Sequence, residues 1–164
     1  MDMKKIIISI FLTSMMFTSL FSQEKATPKK FLGEIQAGAI LVHNNMMSGI
    51  LPEASASFGV NFNSRFSAGL GVSTVSFVTA TPYIFGKVNF VKNEQKKIIP
   101  FLSLSAGYWI NFESVNTEHN GISIQPKLGL SFYGKQRKSS FIVYLGVSYY
   151  YDKFLPSVGI GLGF

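Results

Sequence analysis

From Phe31 to Phe164 the apolar residues recur at every second position, not every third or fourth. That period of two belongs to strands, whose successive side chains point to opposite faces. Eight segments carry it: Phe31–Val42, Glu53–Phe62, Arg65–Val78, Pro82–Val91, Ile99–Phe112, Gly121–Tyr133, Ser140–Tyr151 and Phe154–Phe164. In the fifth, Leu102, Leu104, Ala106, Tyr108, Ile110 and Phe112 share a face; in the seventh, Phe141, Val143, Leu145, Val147 and Tyr149 do. The opposite faces carry small or polar residues, such as Ser55, Ser57, Gly59 and Asn61, or Ser103, Ser105 and Gly107. One face is therefore greasy and the other small and hydrophilic.

This distribution predicts a closed, up-and-down, antiparallel eight-stranded transmembrane β-barrel over residues 31–164. Backbone N–H and C=O groups in hydrocarbon must all be paired, so spanning strands close on themselves. A soluble ligand-carrying barrel has the reverse arrangement, apolar inside and polar outside; it is the rival architecture. Pro126 and Pro156 interrupt predicted strands. Each removes a ladder donor, so a bulge or strand end is expected there.

The connections alternate in character. Asn63-Ser64, Lys92–Lys97 and Gly134–Lys138 are short and mostly charged, and lie on one side. His43–Pro52, Thr79–Thr81, Asn111–Asn120 and Tyr151–Lys153 lie on the other. With an even strand number both barrel ends of the chain share a side, which in outer-membrane barrels is the periplasm. Aromatics collect near both boundaries: Tyr108, Trp109, Phe112, Tyr149, Tyr150, Tyr151 and Phe154 toward the exterior, and Phe31, Phe90, Phe101, Phe132, Tyr133, Phe141 and Phe164 toward the periplasm. They suit interfacial belts, where a ring with an apolar body sits at headgroup level.

Residues 1–22 have a different layout. Lys4 and Lys5 precede an apolar run from Ile6 to Phe21, broken only by Ser and Thr, and polar Gln23-Glu24-Lys25 follows. This is the pattern of a cleavable signal peptide, with cleavage expected near Ser22, although Leu20 departs from the usual small residue. Residues 23–30 read as a short polar lead-in.

Composition narrows the function classes. Charged residues make up 14% of the chain, against about 25% in soluble domains. The net charge of +7 comes from Lys and Arg clustered at turns, not along one face, so no nucleic-acid surface is expected. There is no Cys, which excludes disulfides, thiol catalysis and thiolate metal sites.

The last segment alternates back from its final residue as Phe164, Leu162, Ile160 and Val158. This resembles the C-terminal signature of outer-membrane β-barrels, and with the leader and eight strands the chain resembles the small OmpA/OmpX-type barrels. The resemblance implies a protein of the outer membrane of a Gram-negative bacterium, exported through the inner membrane. It also implies recognition by the barrel-assembly machinery through Val158, Ile160, Leu162 and Phe164. The partners expected are that machinery and outer-membrane lipid, with no cofactor. A closed barrel has no free edge, so a monomer is expected.

Four charges, Glu34, Arg65, Lys87 and Lys127, fall on the small-residue face. Unpaired charge in a narrow barrel is costly, so an interior polar network is expected, with Glu34 meeting Lys87, Lys127 or both. Such a network either plugs the barrel, helped by Tyr83, Phe85, Trp109, Tyr144 and Tyr150, or lines a narrow pore with some anion preference. His43 and His119, with Glu113 and Glu118, make a poor metal set, and no metal site is expected. Barrel lipid A deacylases use a His-x-Ser pair; here Asn44-Asn45 follows His43 and Asn120-Gly121 follows His119, so no enzyme is expected. Met46-Met47 and Ile50-Leu51 make the first loop apolar, suited to folding over the rim or touching lipid.

Overall fold

A computed structural model describes residues 31–44, 47–91, 96–112, 120–134, 139–150 and 153–164, with the side chains of 43, 44, 47 and 48 left undescribed. The expected leader and lead-in, Met46, His119, Glu113, Glu118 and Tyr151 lie outside the described residues. So do the side chains of His43 and Met47.

The described residues form eight strands: β1 (Phe31–Asn44), β2 (Met47–Asn61), β3 (Phe66–Val75), β4 (Thr79–Asn89), β5 (Ile98–Asn111), β6 (Gly121–Tyr133), β7 (Ser140–Tyr150) and β8 (Lys153–Gly163). Each pairs antiparallel with its sequence neighbours, and β8 closes on β1. We call the rim holding the start of β1 and the end of β8 the near rim, and the opposite one the far rim.

The closure has a stagger. Register partners run from Gly33 through Phe58, Leu70, Ile84, Ala106, Ile124 and Tyr149 to Phe154. Gly33 itself exchanges backbone hydrogen bonds with Phe164. One circuit thus returns to β8 ten residues away, at Phe154 instead of Phe164. A stagger of this kind requires strands tilted by about 35–45° and, with eight strands, an interior that side chains just fill.

The faces sort as the alternation predicts. Ile35, Phe58, Leu70, Ile84, Leu104, Ile122, Leu145 and Ile160 are exposed on the outer wall, while Ser55, Ser73, Ser105, Ser123, Gln125 and Ser148 are buried within. Three of the residues assigned to aromatic belts are buried inside: Phe101, and Trp109 and Tyr150, which the alternation also placed facing the lumen. Each sits one position out of phase with its greasy neighbours, so the pleat turns it inward.

Two turns differ from the sequence expectation: the first is shorter, and the second falls at Ser76–Val78, three residues before the expected Thr79–Thr81, which belong to β4. β2 begins at Met47, and Asn44 pairs with Met47, so most of the expected His43–Pro52 loop is ladder. Pro52, facing out where β2 has not yet met β3, interrupts the pattern without interrupting that ladder. β3 and β4 are joined through Ser76 and Phe77, both at positive φ (52° and 61°), with Val78 N–H donating to Val75 C=O at 3.2 Å. Positive φ at both central positions matches the right-handed twist of a hairpin and is usually left to Asn-Gly.

The prolines produce no bulge. Register is continuous across Leu104↔Pro126 and Val147↔Pro156. The missing N–H is felt on the other side of each strand. The β6–β7 ladder has no pairs between Ile124↔Tyr149 and Lys127↔Gly146, and the β1–β8 ladder stops at Ile40↔Ser157. An outward-facing Pro keeps its place in the pleat and loses only one ladder bond.

Candidate functional site: the barrel interior

The alternation that turns Ser and Gly inward also turns in every buried charge. Glu34 sits on β1 and Lys87 on β4, and their side chains form an ion pair across the lumen, both nearly fully buried. The second oxygen of Glu34 accepts from Gln36 Nε2 at 3.0 Å. Gln36 Oε1 in turn accepts from Lys127 Nζ at 3.2 Å. Lys127 therefore reaches Glu34 through Gln36, not directly. Both ammonium groups also lie over rings, Lys87 at 4.2 Å from the Phe101 centroid and Lys127 at 4.5 Å from that of Tyr144. Ring faces are negative, so each cation is partly compensated on a second side.

Arg65 does not join them. It is exposed, in the turn between β2 and β3. Asn63 Oδ1 accepts from the N–H groups of Arg65 and Phe66, both at 2.8 Å, and ends the strand there. Position 65 shares the inward parity only if the strand extends to it, and the side-chain-to-backbone turn stops it first.

Its place is taken by Glu53, the first residue of the predicted segment Glu53–Phe62, which was not among the expected interior charges. Glu53 is 3% exposed, and its Oε1 accepts from Gln125 Nε2 at 3.2 Å. Gln125 Nε2 also donates to the Tyr150 hydroxyl. The signal was present: Glu53 shares parity with Ser55, Ser57, Gly59 and Asn61. Gln36, the bridge between Glu34 and Lys127, was legible in the same way beside Gly38. Among the described residues, the buried ionisable charges are thus Glu34, Glu53, Lys87 and Lys127, two of each sign. The anion preference expected from an excess of bases loses its basis.

Large rings pack inside the lumen on the near-rim side. Phe101, Ile142 and Tyr144 pack as one buried cluster. Tyr144 fits because its neighbours lack side chains: a Cβ on Gly38 or on Gly159 would lie 2.5 Å or less from it. The small residues on the inner face are thus the complement of the large ones. Among the described residues, no group of three or more His, Asp and Glu could hold a metal ion.

The closed antiparallel ladder of eight strands is shared with known proteins. The fold is that of the small eight-stranded outer-membrane barrels. The chain is similar to Neisserial surface protein A, with 13% identity, a TM-score of 0.65, and 85% of this chain and 98% of that one covered. It is similar to the N-terminal β-barrel domain of Pseudomonas aeruginosa OprF, with 16% identity, a TM-score of 0.57, and 81% and 96% covered. A de novo designed transmembrane β-barrel also matches, with 13% identity, a TM-score of 0.58, and 86% and 98% covered. No protein-family model matches the sequence, and no curated protein is similar to it.

Proposed function

We propose that the chain is an integral outer-membrane β-barrel of structural or surface-interaction type whose interior is filled and does not conduct. The carrying observation is the inverted distribution of polarity. The outer wall exposes Phe31, Ile35 and Leu41 along β1, and the inside holds a compensated set of charges beneath large rings. The span from Phe31 to Leu41, about 33 Å along the strand and about 25 Å along the axis of a barrel with tilted strands, matches the apolar band of outer-membrane barrels. On this reading the near rim faces the periplasm and the far rim the exterior, and lipid is the constant partner. The protein is a monomer without catalytic activity or cofactor. Its leader ends near Ser22, and Val158, Ile160, Leu162 and Phe164 are read by the assembly machinery.

Conductance across a planar bilayer tests the filled interior. The protein gives no reproducible unitary steps, whereas the Phe101→Ala/Tyr144→Ala double variant does. Regular steps from the unaltered protein that change with Lys87→Ala would replace the plug with a narrow pore. Heat-modifiable migration on SDS gels tests the barrel itself: an unboiled sample runs apart from a boiled one.

A further inference from the structure

The far-rim mouth of the lumen departs from the polarity of the rest. Ile40, Trp109 and Tyr150 form a buried cluster there, with Val42, Val75 and Leu155 packed against it. Ile40, Val75, Trp109, Tyr150 and Leu155 border a cavity of about 430 Å³. That lies within the roughly 300–1,000 Å³ of small-molecule sites, which are mostly apolar with few polar groups.

The wall beside this cavity is open. β1 continues to Asn44 and β8 starts at Lys153, yet their ladder ends at Ile40↔Ser157. Both edges are held on their other sides, β1 by β2 through Asn44↔Met47 and β8 by β7 through Tyr150↔Lys153. Leu41–Asn44 therefore faces Lys153–Pro156 across an unzipped seam, and Pro156 has no N–H to close it. Unpaired edges are not tolerated in hydrocarbon, which puts the seam at the membrane interface. Its outward side chains agree: Leu41 and Phe154 are exposed and apolar, at the last turn of the greasy band. Lys153 stands exposed at the head of the same edge.

The geometry points to a binding site for a long-chain fatty acid that enters sideways from the bilayer through the β1–β8 seam. Its aliphatic chain lies in the apolar mouth against Ile40, Val75, Trp109 and Leu155, and its carboxylate stays at the rim near Lys153. The seam favours this occupant over a water-borne one, because it joins the cavity to the lipid-facing wall. The site requires the barrel to sit in a membrane but not that its lumen be shut.

Trp109 is the only tryptophan of the chain, and it lines the cavity. Its fluorescence is followed in phosphatidylcholine vesicles while a dibrominated long-chain fatty acid is added. The expected result is saturable quenching, reversed by unbrominated oleic acid. Leu155→Phe, which fills the mouth, weakens the apparent affinity about tenfold or more, or ~1.4 kcal/mol, and Lys153→Gln weakens it less. Both variants keep the heat-modifiable gel shift. Quenching that rises without saturation, or that oleic acid does not reverse, overturns the site. Equal quenching by brominated phosphatidylcholine alone overturns it too, since phospholipid tails would then occupy the mouth. A retained gel shift with no saturable quenching sinks the site and leaves the barrel intact.

Discussion

Lys87→Met isolates the charge of Glu34 with little change of volume. In the native barrel Glu34 is 5% exposed and held by two groups, the Lys87 ammonium and the Gln36 amide. After the substitution only Gln36 remains, and Gln36 is shared with Lys127. Met fills the stem of Lys87 and keeps a contact with the Phe101 ring through its polarisable sulfur. What is lost is the counter-charge, and stranding a buried carboxylate costs roughly 3–5 kcal/mol. Adding Glu34→Gln removes the stranded charge, so the double variant falls within about 1.5 kcal/mol of the native protein. Glu34→Gln alone is also costly, because Lys87 is then unpaired apart from its contact with Phe101. The assay is urea unfolding of the vesicle-embedded barrel, followed by Trp109 fluorescence and by gel migration. The double-mutant cycle gives a coupling of about 2 kcal/mol or more. A coupling under about 1 kcal/mol, the range of exposed pairs, would mean that water reaches the pair and would count against the filled interior.

Other substitutions probe other links. A side chain at Gly69 runs into the backbone of Phe58 and Gly59 on β2, so Gly69→Val lowers the urea midpoint by the equivalent of about 1–3 kcal/mol or prevents the gel shift altogether. Replacing Ser76-Phe77 by Asn-Gly suits the positive φ of both residues and stabilises the β3–β4 hairpin by about 1–2 kcal/mol; an unchanged midpoint would count against strain at this turn. Arg65→Gln changes unfolding by no more than about 0.5 kcal/mol, as for an exposed residue. A loss comparable with that of Lys87→Met would return Arg65 to the network.

Much of the architecture was legible because a strand has a period of two and a membrane barrel has two solvents. Alternation alone assigned Ile35, Phe58 and Leu104 to the wall and Ser55, Ser105 and Gln125 to the inside. The same rule applied strictly would have found Glu53 and Gln36, would have kept Phe101 out of the belts, and would have left Trp109 and Tyr150 in the lumen alone, where they were also expected. Arg65 failed for a local reason: parity says which way a residue faces only within a strand, and the Asn63 turn delays the start of β3 to Phe66. The loop assigned to His43–Pro52 failed because a proline and two methionines hide a ladder that one neighbouring strand suffices to hold. Tertiary structure alone decided which inward charges meet. Glu34 and Lys87 are 53 residues apart and touch across the lumen, a contact set by the ten-residue stagger of the closed ladder. The open β1–β8 seam has the same origin. Periodicity along one strand determines its faces, but where two distant strands begin and stop pairing depends on the closure of all eight.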